Sequence, residues 1–211
     1  TPDEFIPIAE NSKSIMSIGN WVAEKSFRDY LDIITAINDP NFELAINVST
    51  QQIESRLFAE LLETLIKRHK LNANSITIEI SETTLMSHIV SCERMLRHFS
   101  DLGIKIALDD FGTGYSSLTY LKALPFNYIK VDKNFVDDIT HKTGDSIILK
   151  AIINLADELN LSCIAEGVET QEQLDFLRAN QCQYVQGYFF AKPMPLEELI
   201  QFVKEFNEQN N

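Results

Sequence analysis

Seven polar side chains stand at or just past the C-terminal ends of six short β-branched or aliphatic runs: Asn47, Glu79, Asp109, Asp110, Lys130, Glu166 and Gln186. Asn47, Glu79, Asp109 and Asp110 are hard oxygen donors, suited to Mg²⁺ or Mn²⁺ and poorly matched to thiolate-seeking metals. Successive strand residues point to opposite faces, so Asp109 and Asp110 both reach one site only if the strand ends there. Phe111-Gly112-Thr113-Gly114 supplies that break. A carboxylate between two sites can bridge paired metals, the arrangement that activates a water and stabilises the leaving oxygen in phosphodiester hydrolysis. Lys130 adds a positive charge beside the nucleophile or the phosphate. Any one such residue is more often a helix cap or a solvated loop carboxylate. A polar group at the end of every run points instead to one shared rim.

Other candidates carry less. Gly112-Thr113-Gly114 reads as a turn before it reads as a phosphate loop. His69, His88, His98 and His141 show no H-x-x-x-H spacing and are read as non-ligands. Tyr188, Phe189 and Phe190 follow Gly187 at the rim and could stack on a nucleobase, although aromatic runs more often fill a core.

The elements that position these residues alternate between strand and helix from about residue 43 onward, the pattern of repeated βα units in a parallel sheet. The strands read as Glu43 to Val48, Ser75 to Ile80, Lys105 to Leu108, Tyr128 to Val131, Ser162 to Ala165 and Tyr184 to Gln186. One helix, roughly Ser14 to Ile37, precedes the first strand. Ile53, Leu57, Phe58, Leu61, Leu62, Leu65 and Ile66 form one helical stripe, and Ile147, Ile148, Ala151, Ile152, Leu155 and Leu159 form another. Strands recurring every ~28 residues suit a (β/α)₈ TIM-like barrel of the α/β class, which takes about 250 residues for eight units. The chain is about two strands short of that count, so its first two strands are expected upstream. No linker or low-complexity stretch divides it, and residues 1–211 read as a single, N-terminally incomplete domain.

The hydrophobic fraction of 45% and charged fraction of 23% are those of a globular chain long enough for one sizeable core. The net charge of −13 argues against wrapping duplex nucleic acid, which needs many Lys and Arg on phosphates. It does not oppose a small phosphorylated ligand held by divalent cations. Cys92, Cys163 and Cys182 form no C-x-x-C pair and read as buried free thiols of a reducing compartment. The most apolar stretch, Ile147 to Ala156, is too short to span a bilayer, and the N-terminus has no signal-peptide pattern.

At this point the residues resemble a known family. Asp109-Asp110-Phe111-Gly112-Thr113-Gly114-Tyr115-Ser116-Ser117-Leu118 is similar to the central motif of EAL domains, the cyclic di-GMP phosphodiesterases. Six further strings accompany it in order: Phe5-Ile6-Pro7-Ile8-Ala9-Glu10, Asn47-Val48-Ser49 with Gln52, Glu79-Ile80-Ser81-Glu82, Ile129-Lys130-Val131-Asp132, Ala165-Glu166-Gly167-Val168-Glu169-Thr170 and Gln186-Gly187-Tyr188. The resemblance implies that Asn47, Glu79 and Asp109 hold a first metal, with Asp109 and Asp110 at a second. It makes Glu166 either a second-metal ligand or the general base, and Lys130 the group that orients the attacking water. Glu82, Gln186 and Glu169 are implied in substrate binding or loop bracing, Glu82 behind the loop after Asp110. Ser81 stands where the family commonly has Thr. The Glu-Ala-Leu motif of the family, and an Arg after it, would lie upstream of Thr1.

The expected activity is therefore hydrolysis of cyclic di-GMP to linear pGpG with two Mg²⁺ or Mn²⁺ ions, in bacterial signalling. The alternative is a non-catalytic cyclic di-GMP receptor. An enolase-like barrel fits poorly, because of the Asn ligand and the adjacent Asp pair. The resemblance also implies a homodimer, an attached sensory or GGDEF domain upstream, and a cytoplasmic location, either free or as the cytoplasmic part of a membrane-anchored protein.

Overall fold

The computed structural model describes residues 1–39, 41–114, 118–137, 139 and 143–210. Tyr115, Ser116 and Ser117 of the central motif, and His141, lie outside the described residues. Six strands form one sheet: β1 (Leu44–Asn47), β2 (Ile76–Ser81), β3 (Lys105–Phe111), β4 (Tyr128–Val131), β5 (Ser162–Ala165) and β6 (Tyr184–Val185). All neighbours are parallel and the order runs β1-β2-β3-β4-β5-β6 without reversal. A doubly wound open sheet would reverse its order at a switch point. A singly wound sheet is the barrel sense, and these six strands are a partial barrel of the α/β class.

The helices are α1 (Pro2–Asn11), α2 (Ile15–Ile37), α3 (Thr50–Ile53), α4 (Arg56–His69), α5 (Glu82–Ser87), α6 (Ile89–Asp101), α7 (Leu118–Ala123), α8 (Asn134–Asp137), α9 (Thr143–Glu158), α10 (Gln171–Ala179) and α11 (Leu196–Asn210). Local chemistry sets their ends. Ser55 accepts from the Phe58 N–H at the start of α4, whose last turn carries Lys67, Arg68 and His69 against the helix dipole. Thr170 and Gln173 form a reciprocal capping box at α10. The last helix, α11, packs against α2, so the helix layer curves around the sheet. No helix among the described residues is long and apolar enough to cross a membrane.

The core lies between sheet and helices. Every residue of β4 and the first five of β2 are buried, as expected for strands covered on both faces. The helix α2 contributes Ala23, Phe27, Tyr30 and Ile33 from one face.

Three features depart from expectation. Two helices, not one, precede β1. Pro7 sits inside α1, and Lys13, in the left-handed region at φ 61°, separates α1 from α2. Two prolines within seven residues argue against a helix by propensity, yet Pro2 occupies the first turn, where its missing N–H costs nothing. In α9 the buried face is Leu149, Ile152, Ile153 and Ala156, leaving Ile147 and Ile148 exposed, and in α4 Leu57 is also exposed. These segments have more apolar residues than one face can hold, and the position of the sheet chooses among the stripes. Finally, β3 does not stop at Leu108 but continues to Phe111.

Candidate active site

The C-terminal end of β3 is irregular in a way that matters chemically. Leu108 pairs with Ile129 and Phe111 with Val131, so Asp109 and Asp110 together fall opposite the single residue Lys130. This is a β-bulge, two residues against one. Asp110 takes φ 56°, a left-handed conformation that Asp tolerates better than most residues, and its backbone N–H donates to Asp109 Oδ1 at 3.0 Å. The expectation that the strand ends at the Asp pair is thus corrected: the bulge, not strand termination, breaks the alternation.

The result is a compact cluster. Oxygens of Asp109, Asp110 and Glu166 lie within 4.8 Å of one another. Lys130, nearly fully buried, reaches three carboxylates: Glu79 Oε2 at 2.8 Å, Asp109 Oδ1 at 3.0 Å and Glu166 Oε1 at 2.8 Å. Its place in the middle of the sheet explains this reach. Lys130 is the register partner of Ile164, two residues before Glu166, and Glu79 projects from β2 one strand beyond β3. Asn47 pairs with Glu79 at the end of β1, is exposed, and lines with Glu79, Ser81 and Asp110 a cavity of about 600 Å³ that extends to α1 and α2.

The electrostatics follow from burial and crowding of like charge. Burial raises the Glu79 carboxyl above its usual range, with Lys130 opposing and Asp109 adding to the rise. Glu166 is raised by burial first, again against the pull of Lys130. Burial, then the charges of Asp109 and Asp132, raise Asp110. Burial works to lower the Lys130 ammonium, but Glu79, Asp109 and Glu166 outweigh it and hold it above the ordinary lysine range. One ammonium among four carboxylates leaves the cluster short of positive charge. Hard oxygen donors in that setting fit divalent cations such as Mg²⁺ or Mn²⁺.

The remaining residues surround this cluster. Glu82, fully buried at the start of α5, accepts the Gly112 N–H on Oε2 at 2.8 Å, and so holds the turn after the Asp pair. Gln186 is exposed. Its backbone N–H donates to the Ala165 carbonyl at 2.8 Å and its carbonyl accepts from Val168, tying the end of β6 to the loop after β5. Glu169 is exposed ahead of α10, its N–H donating to Gln173, and its side chain is not in the carboxylate group. Tyr188 is exposed with Lys192 over its ring at 5.6 Å, while Phe189 meets Phe190 edge to face. His98 pairs with Glu63 between α6 and α4.

Sequence reasoning passed over Asp132 as a contributor. It accepts the Asn134 N–H just past β4 and adds to the charge that Asp110 feels. Its position after Lys130-Val131, at a strand end like the others, was the available signal. Gln52 was also passed over as a positioning group. It is buried, reciprocally caps α3 with Ser49, and packs so closely on Gly19 that a Cβ there would meet its amide at 2.0 Å.

The family model for the EAL domain matches residues 1–193. The chain is 36% identical over 200 residues to a Pseudomonas aeruginosa protein named bifunctional diguanylate cyclase/cyclic di-GMP phosphodiesterase MucR, covering 95% of this chain and 29% of that one. It is 37% identical over 205 residues to cyclic di-GMP phosphodiesterase NbdA of the same organism, covering 97% of this chain and 26% of the relative. A solved structure described as PaMucR phosphodiesterase in complex with c-di-GMP superposes with a TM-score of 0.89 at 36% identity, covering 94% of this chain and 80% of that one. The chain thus spans 29% and 26% of the two curated relatives' lengths.

Proposed function

The chain belongs to the EAL domain family, and from that premise we propose that it hydrolyses cyclic di-GMP to linear pGpG with the help of two divalent cations, Mg²⁺ or Mn²⁺. The observation that carries the reading is the convergence of Asp109, Asp110 and Glu166 oxygens within 4.8 Å, at the strand ends where barrel enzymes build their sites. In this reading residues 1–211 act as one domain. Asn47, Glu79, Asp109 and Asp110 would hold the cations, and Glu166 completes the carboxylate set. The chemistry that divalent cations supply when bound is polarisation of a phosphoryl oxygen and acidification of the attacking water.

The chain's own residues position the reactants. Lys130, fixed by three carboxylates, presents a positive charge that cannot swing away and orients the water beside Glu166. Glu82 keeps the turn after Asp110 in place, so the bulge that aims the two Asp side chains is held from behind. Water attacks phosphorus, one P–O bond opens, and the cyclic dinucleotide becomes linear. In-line geometry depends on both Asp side chains keeping their positions. Tyr188, exposed at the rim, offers a face for a guanine base. We place the activity in a cytoplasmic, homodimeric protein with a sensory or GGDEF domain ahead of this one.

Incubation with cyclic di-GMP and Mg²⁺ or Mn²⁺, followed by chromatography for pGpG, tests the reading. Product formation that disappears in Glu79→Ala and Asp109→Ala is the expected result. Binding of the dinucleotide without any pGpG would make the protein a receptor, and absence of both would overturn the proposal.

A further inference from the structure

Far from one another in sequence, Cys163 and Cys182 meet in the fold. Cys163 lies within β5 and Cys182 just ahead of β6, and these strands are neighbours. The Cys182 Sγ is 3.6 Å from the Cys163 carbonyl oxygen and 3.2 Å from that of Tyr184, which seats the Cys182 side chain against the backbone of Cys163. Their exposures differ. Cys163 is fully buried in the core, whereas Cys182 is half-buried, which corrects the expectation of a buried thiol there. The residues flanking Cys182, Gln181 and Gln183, line a polar cavity of about 250 Å³ together with Asn154, Asp157 and Asn180. Cys92 is buried on α6, in another part of the molecule.

We propose that Cys182 and Cys163 form a redox-active dithiol, in which the Cys182 sulfur attacks peroxide and the Cys163 sulfur resolves the product into an intrachain disulfide. A reactive thiol needs access and a share of thiolate, and a resolving thiol must lie beside the sulfenic acid and give up its proton as it attacks. Cys182 is the more exposed of the two. The neighbouring Cys163 side chain also draws the Cys182 thiol below its ordinary range against burial, while the nearness of Cys182 and burial push Cys163 well up.

The chemistry balances with hydrogen peroxide as oxidant. The Cys182 thiolate attacks one peroxide oxygen, the O–O bond breaks, and hydroxide leaves and is protonated to water, giving a sulfenic acid. The Cys163 sulfur then attacks the Cys182 sulfur, the S–O bond breaks, and a second water leaves as the S–S bond forms. Two thiols are oxidised by two electrons and one peroxide is reduced to two waters. The bond ties β5, the strand that leads into Glu166, to β6.

The test is titration of the reduced chain with hydrogen peroxide, with thiol counting and mass mapping of peptides. The three thiols should fall to one, with Cys163 joined to Cys182 and Cys92 still free. In Cys163→Ala the Cys182 sulfenic acid should persist and be trapped by dimedone, and in Cys182→Ser, Cys163 should resist oxidation. The wild-type measurement needs no variant to fold. Retention of all three thiols at stoichiometric peroxide, a bond that joins two chains or involves Cys92, or Cys163→Ala with no dimedone adduct on Cys182 would each overturn the proposal.

Discussion

The backbone N–H of Asp110 donates to the carboxylate of Asp109 at 3.0 Å, so the second residue of the pair is pinned by the side chain of the first. That bond accompanies the left-handed turn at Asp110 and the bulge opposite Lys130. It brings two successive carboxylates, which a regular strand would send to opposite faces, into one cluster.

Substitution at Asp110 should separate backbone from charge. Asp110→Asn keeps a residue that tolerates positive φ and should leave the melting temperature nearly unchanged. Asp110→Ala should lose roughly 1 kcal/mol from left-handed strain. Both should weaken Mg²⁺ binding about tenfold or more, since each removes a charged ligand. Calorimetric titration with Mg²⁺ and thermal unfolding would check this. Equal stability of the two variants would show that φ 56° at Asp110 carries no strain.

Removing Lys130 leaves Glu79, Asp109 and Glu166 without their shared cation. Lys130→Ala should cost about 3–5 kcal/mol in the absence of metal, the loss expected when buried carboxylates keep their charge but lose its partner. Mn²⁺ should restore part of that loss, and bind with affinity close to wild type, while pGpG formation slows. Chemical denaturation with and without Mn²⁺ reads the first point. An unchanged rate with weaker substrate affinity would remove Lys130 from its place beside the water.

Cation binding should weaken on mild acidification. Glu79, Glu166 and Asp110 all have raised pKa values, so each regains its proton at a pH above the usual carboxylate range. Protons then compete with the cation, and affinity falls as pH falls, beginning before ordinary surface carboxylates titrate. Mn²⁺ titrations between neutral pH and pH 5 would show it. Fold stability is a separate matter from cation affinity: the folded pKa of Lys130 is raised, so its contribution to stability is whole below the ordinary lysine pKa and is lost as pH climbs through the folded value.

Gly187 should not tolerate a side chain. A Cβ at this position would lie 2.1 Å from the Val168 carbonyl oxygen and 2.3 Å from the Val168 nitrogen, and backbone cannot rotate away. Gly187→Ala should therefore destabilise by about 1–3 kcal/mol, as overpacking does, by pushing the end of β6 from the loop that follows Glu166. Thermal unfolding is the direct measurement, and a neutral result would mean that this loop yields easily.

The amino-acid sequence alone determined where the strands lie and which side chains stand at their C-terminal ends, because both are local properties. Runs such as Tyr128–Val131 and Ser162–Ala165 begin and end as read, and the family strings name the residues of the rim. Propensity is a poor guide at α1, where Pro7 stands inside a helix. Only the tertiary structure decided that Lys130 faces Glu79, Asp109 and Glu166 together, because that requires the register of four strands at once. The bulge at Asp109-Asp110 and the meeting of Cys163 with Cys182 belong to the same class. A bulge exists only relative to a neighbouring strand, and a contact between residues 19 apart in sequence exists only once β5 and β6 are paired.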